Sequence, residues 1–224
     1  MCGGVDLMSK SETHNKEYEN VASVVSESES NKSAVKLLQG WLGSLSDAGL
    51  AQWDRLPDIG LYMDQVLTLM DRQLVFYKRA DDDKLLTQPM INNYTKDGLL
   101  PRASDKKYTQ GHLALLSVLC SLKPVLSISD LSVLLENTQL GNDERKIYEF
   151  FLESQKDAID SARKDLLPEI DTLFEAVSSN KSTSDAYRRE MALMALRMAI
   201  EARVRIMMTQ KILDFLSPPD VKKS

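Results

Sequence analysis

The segment 184–216 most constrains what this chain can fold into, because it is apolar on most of its helical circumference. Glu201, Arg203 and Arg205 leave only a narrow strip for water. A helix of this kind is stable only when it is buried in a bundle or in a dimer interface. The apolar positions are Met191, Leu193, Met194, Leu196, Met198, Ile200, Val204, Met207 and Met208.

Composition points to the same helical class. Of the 224 residues, 43% are hydrophobic but only 6% are aromatic, and leucine, alanine and methionine favour helices over sheets. Neither an export signal nor an apolar run of about 18 residues is visible, so no membrane partner is expected. Cys2 and Cys120 lie far apart and suggest no disulfide framework, which predicts a cytoplasmic protein.

Polarity divides the chain into four stretches. Residues 1–32 are expected to be a disordered tail, because they can bury too little apolar surface. The opening MCG also resembles enzymes whose second residue becomes an amino-terminal nucleophile, but the polar GVDLMSKSETHN behind it favours the tail. We then expect a helix and loop at 33–55, a compact domain at 56–136 and a helical region at 140–217, in which Pro168 kinks or restarts a helix over 142–178.

The stretch LTQPMINNYTKDGLLPRASDKKYTQGHLALL, residues 86–116, has the order of a winged helix-turn-helix. Thr87 is a good N-cap for a helix that reaches about Lys96, and Gly98 is a typical glycine just beyond its end. LLPRASDKKYT predicts two short extended pieces around a Ser-Asp turn, and Thr109 then caps an apolar helix.

The polar side chains of this stretch suit a contact with nucleic acid. Asparagine can bind the adenine edge with two hydrogen bonds, and basic side chains beside a recognition helix anchor phosphate. Between Lys84 and Lys123 lie six basic and two acidic residues, a local charge of +4 in a chain whose formal charge is −5. The expected DNA contacts are Gln88, Asn92, Asn93 and Lys96 on the helix, with Arg102, Lys106 and Lys107 on the wing.

Residues 90–135, MINNYTKDGLLPRASDKKYTQGHLALLSVLCSLKPVLSISDLSVLL, resemble the DNA-binding domain of the mercury-resistance-regulator (MerR-like) superfamily. Together with LPDIGLYMDQV upstream, they more closely resemble a family of bacterial proteins described as a domain of unknown function, to which that fold is assigned. In MerR-like regulators, an arginine and a tyrosine of the recognition helix contact the DNA backbone, and by position these become Asn92 and Tyr94. The basic residue and the tyrosine of the wing become Lys106 and Tyr108. The resemblance implies a transcriptional regulator that binds double-stranded DNA.

Several of these residues have a second interpretation. Tyr94 is either a core residue or a phosphate contact, and Tyr108 is more typical of wing packing. Asn92 stands where the family has an arginine, and three aspartates at 81–83 acidify the connection before the helix. Both departures favour the alternative function, a protein–protein interaction module on the same fold.

No motif indicates an enzyme, a cofactor or a metal site. A phosphate loop, a dinucleotide glycine pattern and a nucleophile elbow are all missing, and His112 has no neighbouring histidine or cysteine. The methionines of 191–208 either line an adaptable pocket or, more commonly, fill a core. We therefore predict an all-α, non-enzymatic DNA-binding protein, with a MerR-like winged helix-turn-helix at 56–136 and a small two-stranded wing. A homodimer is expected, because two-fold operators match two-fold proteins.

Overall fold

The structure is a computed structural model that describes residues 29–45, 49–80, 82–138, 143–179 and 183–216. Most of the tail expected at 1–32, including Cys2, lies outside the described residues. The chain divides into two compact units. The first comprises residues 1–44 and 161–198, and the second comprises residues 45–160 and 199–224.

The described residues are helical, which confirms the all-α prediction. Short 3₁₀ helices occur at Trp53–Arg55 and Leu74–Tyr77. The α-helices are α1 at 29–44, α2 at Met63–Gln73, α3 at Gln88–Lys96, α4 at Gln110–Leu122, α5 at Ile128–Thr138, α6 at Glu144–Ser178 and α7 at Ser184–Leu216. The helix α6 passes through Pro168 and does not restart there.

The two-stranded wing is not found in the described residues. Two isolated antiparallel bridges replace it, one between Ser104 and Lys107 and one between Leu61 and Tyr108. The backbone of Tyr108 exchanges two hydrogen bonds with Leu61, at 2.9 and 2.8 Å, instead of pairing with the segment before the turn. That preceding segment contains Pro101, which has no amide hydrogen to donate to a ladder.

The core of the second unit surrounds α4. Every residue from 112 to 120 is buried, as expected for the apolar helix that the sequence predicts. Side chains from five other helices complete this core: Val66 and Met70 of α2, Ile91 and Tyr94 of α3, Leu131 and Leu135 of α5, Tyr148 and Leu152 of α6, and Leu213 of α7. The second unit is therefore a helical domain built around a central helix.

The inward face of α6 carries one of two neighbouring aromatic residues. Phe150 is 71% exposed. Tyr148 is the buried residue instead, and its hydroxyl donates a 2.8 Å hydrogen bond to the carbonyl oxygen of Ala51. Residues two positions apart lie on opposite sides of a helix, so burial of Tyr148 turns Phe150 outward.

The first unit contains α1, residues 161–178 of α6 and residues 184–198 of α7. The amide of Gln39 donates a 2.7 Å hydrogen bond to Asp171, and Arg197 pairs with Glu169 at 2.8 Å. Trp41 of α1 is 57% exposed. The buried apolar residues are Val35, Leu42, Leu166, Ile170, Leu173, Val177 and Tyr187.

The helix α7 buries little of its apolar surface within this chain. Tyr187 and Leu213 are buried, but ten large apolar residues beyond Tyr187 are at least 42% exposed. They are Leu193, Leu196, Met198, Ile200, Val204, Met207, Met208, Ile212, Phe215 and Leu216. The sequence predicted that α7 would be buried in a bundle or in a dimer interface. Packing within the chain buries only one side of this helix.

Candidate nucleic-acid interface

Both ends of α3 are held by the residues that the sequence predicts. The hydroxyl of Thr87 accepts a 3.4 Å hydrogen bond from the amide of Met90. At the other end, Gly98 has a φ of +77°, and the amide of Leu99 reaches back 2.9 Å to the carbonyl of Tyr94. A residue without a side chain takes this left-handed conformation without strain. The length of α3 is therefore set locally.

One side of α3 is polar and open to solvent. Ile91 and Tyr94 are buried, which turns Gln88, Asn92, Asn93 and Lys96 outward. We call these four residues the α3 outer face. Three of them follow one another at intervals of four residues, and the face carries amides and one ammonium but no carboxylate. Their side chains have no hydrogen-bond or ion-pair partner among the residues that the structure describes.

A tight turn at Ser104–Lys107, called the basic turn here, follows α3. The amide of Lys107 donates a 2.8 Å hydrogen bond to the carbonyl of Ser104. The two central residues, Asp105 and Lys106, have φ angles of +51° and +61°. Asparagine and glycine usually occupy such positions, because other side chains strain a left-handed backbone. The turn thus holds an exposed Lys106 at a conformational cost.

The segment before α2 supports the basic turn. The ammonium of Lys107 lies 5.7 Å from the ring centre of Tyr62, and a Cβ atom at Gly60 would lie only 2.9 Å from Cβ of Lys107. Together with the Leu61 bridge, these contacts position the stem of Lys107. Sequence reasoning missed this support, although an isolated glycine beside apolar residues can signal such a close approach.

The two tyrosines expected to contact DNA lie in the core. Tyr94 is 2% exposed and Tyr108 is 8% exposed. Burial, with a smaller effect from Cys120, raises the pKa of Tyr94 to about 12, and its hydroxyl has no hydrogen-bond partner among the described residues. Tyr108 packs edge-on against His112 with ring centres 5.5 Å apart. Both tyrosines are packing residues in this structure and lie off the exposed surface of α3 and the basic turn.

His112 has a structural role that the sequence interpretation did not assign. Its Nδ1 atom accepts a 3.1 Å hydrogen bond from the amide of Thr109, the residue predicted to cap α4. The side chain is only 8% exposed, and burial lowers its pKa despite opposing effects from the backbone near Pro101 and from Glu144. Thr109 and His112 thus form a variant of the capping box in which histidine replaces glutamate or glutamine.

The charges around α3 and the basic turn are mostly positive. Arg102, Lys106 and Lys107 are exposed beside the exposed acids Asp97 and Asp105. In the acidic connection, the carboxylate of Asp83 accepts hydrogen bonds of 2.8 and 2.9 Å from the amides of Arg79 and Ala80, and these bonds lower its pKa. Asp82 is exposed, and Asp81 lies outside the described residues. The charge of Asp83 is therefore partly compensated within its own loop.

A cleft of about 720 Å³ lies elsewhere in the second unit. Arg55, Arg72 and Lys156 contribute positive charge to its lining, and Glu149, Glu153 and Asp160 contribute negative charge. The lining contains no methionine, so this cleft is not the methionine pocket considered from the sequence. Among the described residues there is also no cluster of metal-binding side chains and no helix suited to crossing a bilayer.

The comparison with protein families finds a match for the second unit. Residues 51–153 match the family described as Domain of unknown function (DUF1836). The matched segment covers a little under half of the chain and lies wholly within the second unit. This description names neither a MerR-like fold nor a ligand. No match was found among curated proteins or among solved structures.

Proposed function

We propose that the second unit binds double-stranded DNA in a sequence-specific manner, as a transcriptional regulator of the MerR-like winged-helix type. The α3 outer face would enter the major groove, and the basic turn would contact phosphate beside it. The observation that carries the proposal is the α3 outer face itself. It is a row of exposed amides and one lysine, without carboxylates or intramolecular partners among the described residues.

The amides of α3 suit base recognition. A major groove admits a single helix, and an asparagine or glutamine amide can donate to N6 and accept at N7 of the same adenine. Asn92 and Asn93 are exposed on a helix that Ile91 and Tyr94 anchor in the core. Anchoring matters because a fixed helix holds each amide at one base pair.

The basic turn suits backbone recognition. Ammonium groups attract phosphate without reading sequence, and such contacts set the position of the protein on the duplex. Lys106 is exposed, occupies a left-handed backbone conformation, and stands where glycine would fit with less strain. Strained residues often mark functional positions, so the strain supports a role for the ammonium of Lys106.

A specific observation favours a second candidate, a protein-interaction module. An open groove of about 410 Å³ runs beside α2, lined mainly by apolar surface from Pro57, Leu61 and Leu69. Nearby in the sequence, Ile59 is 66% exposed and Tyr62 is 53% exposed. An apolar surface of this kind suits a peptide or protein partner better than DNA.

The deciding experiment is selection of DNA from a randomised double-stranded library by the purified full-length protein, at low and at physiological salt. Enrichment of a defined motif at both salt concentrations is expected. If no motif is enriched at either salt concentration, sequence-specific DNA binding is rejected. In that case, the next test is whether Ile59→Asp loses partner proteins that the unmodified chain retains. Loss of these proteins would favour the interaction module.

Two substitutions then test the base contacts. Asn92→Ala or Asn93→Ala should cost about 1–3 kcal/mol at one base pair and relax the preference there. Lys164→Ala is a control, because Lys164 is exposed but belongs to the first unit. Thermal unfolding should stay unchanged in all three variants, since each side chain is exposed. Preference profiles identical to the parent's for both asparagine variants would contradict base reading by α3.

A further inference from the structure

The central residue of the α3 outer face is Asn92. Because a helix has 3.6 residues per turn, Gln88 and Lys96 lie about one turn before and one turn after it on the same side of α3. Asn93 lies about 100° further round the helix, at the edge of this face. All four side chains are exposed and have no partner among the described residues. Asn92 is therefore the amide best placed to reach the floor of a groove.

The helix α3 holds the backbone of Asn92 in a fixed position. Ile91 is fully buried and Tyr94 is 2% exposed, so both anchor the helix in the core. The Thr87 cap and the left-handed Gly98 fix its two ends. An amide on a fixed helix presents its donor and its acceptor from one position, so it selects a base edge with a matching pair of groups.

Adenine is the base whose major-groove edge matches an amide. The amide of Asn92 has one donor group and one acceptor, and adenine presents a donor at N6 beside an acceptor at N7. Guanine presents two acceptors, cytosine a donor alone, and thymine an acceptor beside a methyl group. Guanine is best matched by the fork of an arginine, and the sequence of α3, QPMINNYTK, contains no arginine. The chemistry of α3 therefore favours adenine.

Recognition of adenine by an amide depends on one hydrogen atom of the N6 amino group. In a base pair, one N6 hydrogen bonds to thymine and the other faces the major groove, where Oδ1 of Asn92 would accept it. A methyl group on N6 of a paired adenine takes the place of the groove-facing hydrogen, because the other hydrogen is needed for pairing. Methylation thus removes the donor, places a carbon against Oδ1 and leaves this buried oxygen unsatisfied.

We propose that methylation of adenine N6 in the binding site prevents DNA binding by α3, and that Asn92 is the residue that detects the methyl group. The proposal rests on the proposed function and specifies its ligand, a double-stranded site with an unmethylated adenine. Gln88 lies one turn before Asn92, a rise of about 6 Å. This rise is close to two base-pair steps of about 3.4 Å, so a second sensitive adenine is expected two base pairs away.

Fluorescence anisotropy of the full-length protein on the duplex enriched by library selection tests the effect of methylation. The duplex is prepared without methyl groups, with N6-methyladenine at each adenine of the motif in turn, and with N6-methyladenine outside the motif. Methylation of the adenine that Asn92 contacts should weaken binding roughly 5- to 100-fold, which corresponds to the loss of a bidentate contact. Methylation outside the motif should leave the affinity unchanged.

Asn92→Ala tests which residue detects the methyl group. This variant has no amide at position 92, so it should bind the unmethylated duplex and the duplex methylated at that adenine equally. Lys96→Ala is the matched control on the same face, because an ammonium does not accept the N6 hydrogen. It should weaken binding to both duplexes by the same factor and keep the discrimination. Circular dichroism should be unchanged in both variants, because both side chains are exposed.

The possible outcomes distinguish methylation sensing from DNA binding itself. A selected motif made only of G·C pairs, or equal affinity for methylated and unmethylated motifs, would overturn methylation sensing while DNA binding stands. Discrimination that persists in Asn92→Ala would overturn Asn92 as the residue that detects the methyl group. A selection that enriches no motif would overturn the proposed function and methylation sensing together.

Discussion

At the scale of single residues, burial separates the side chains that anchor α3 in the core from those that form the proposed interface. The exposed amides of Asn92 and Asn93 lie on the same short helix as Tyr94, whose hydroxyl is buried without a partner among the described residues. A buried hydroxyl loses its hydrogen bonds to water and gains nothing in return. Tyr94 therefore contributes packing through its ring and little through its oxygen.

Tyr94→Phe is predicted to leave the protein as stable as before or to stabilise it by up to about 1–3 kcal/mol, because it removes an unsatisfied buried oxygen. Chemical denaturation measures this change. DNA affinity should be unaltered, and Asn92→Ala is the comparison that lowers it. Weaker binding in Tyr94→Phe at unchanged stability would instead assign a phosphate contact to the hydroxyl.

Lys106→Gly is predicted to raise stability while weakening DNA binding. Glycine relieves a left-handed position that costs other residues about 1–2 kcal/mol, and part of this gain is offset by glycine's greater freedom when unfolded, leaving about 0.5–1 kcal/mol. Loss of the ammonium should weaken binding to all sequences alike and reduce the salt slope by about one unit.

Lys106→Asn is the matched variant for that prediction, because asparagine tolerates the same backbone conformation without a charge. It should show the same reduction in salt slope as the glycine variant. A stability gain with an unchanged slope in both variants would mean that the basic turn does not contact the DNA backbone.

At the scale of elements, α4 depends on an unusual N-terminal cap. Neutral His112 accepts the amide of Thr109 through Nδ1, and a protonated imidazole has no lone pair for that bond. Burial lowers the pKa of His112 below its ordinary 6.5, with Tyr108 packed against the ring and Glu144 partly opposing the shift. Since α4 is the centre of the core, its cap links protonation to the stability of the whole second unit.

Stability is predicted to fall on acidification because of His112. Its folded pKa lies below its unfolded pKa, so the unfolded chain binds the proton more tightly. The contribution is complete above about pH 6.5 and is lost as the pH falls towards the lower folded pKa. Denaturant unfolding between pH 7.5 and about 5 measures the slope.

His112→Gln is the control for this pH dependence. Glutamine can accept the amide of Thr109 as in an ordinary capping box, but it does not titrate. The variant should lose the slope that His112 contributes. His112→Leu should lose the cap as well and be less stable by about 1 kcal/mol beyond its packing change. An unchanged slope in the glutamine variant would exclude His112 as its source.

At the scale of the whole molecule, the distribution of charge matters more than its sum. The chain has a formal charge of −5, yet four exposed cations lie on or beside α3 and the basic turn: Lys96, Arg102, Lys106 and Lys107. An acidic body repels DNA in most orientations and a local basic patch attracts it in one. If the proposed interface binds DNA, this patch would set how the protein approaches the duplex.

The salt dependence of DNA binding is predicted to report how many copies bind. Four phosphate contacts per copy give a slope of log affinity against log salt of about −3.6, and two copies give about −7. Because a homodimer is expected, fluorescence anisotropy at several salt concentrations should give the steeper slope. The shallower slope would mean that a single copy binds DNA and would contradict the expected homodimer.

The ends of helices and the turns were predictable from the sequence, because they depend on residues within about four positions of one another. Thr87 and Gly98 mark the two ends of α3 as predicted, Thr109 precedes α4, and the turn after α3 lies at Ser104–Lys107. The all-α class and the apolar centre at 112–120 follow in the same way from helical periodicity.

The direction in which each helix face points was not predictable, because it depends on packing between residues far apart in the sequence. Tyr148 is buried and Phe150 exposed, although both are large and aromatic, because the carbonyl of Ala51 gives the Tyr148 hydroxyl a partner. Tyr108 pairs with Leu61 instead of completing a wing. Periodicity shows that a helix has an apolar side. Only the tertiary contacts decide whether that side is buried, as it is in α4, or stays largely exposed, as it does in α7.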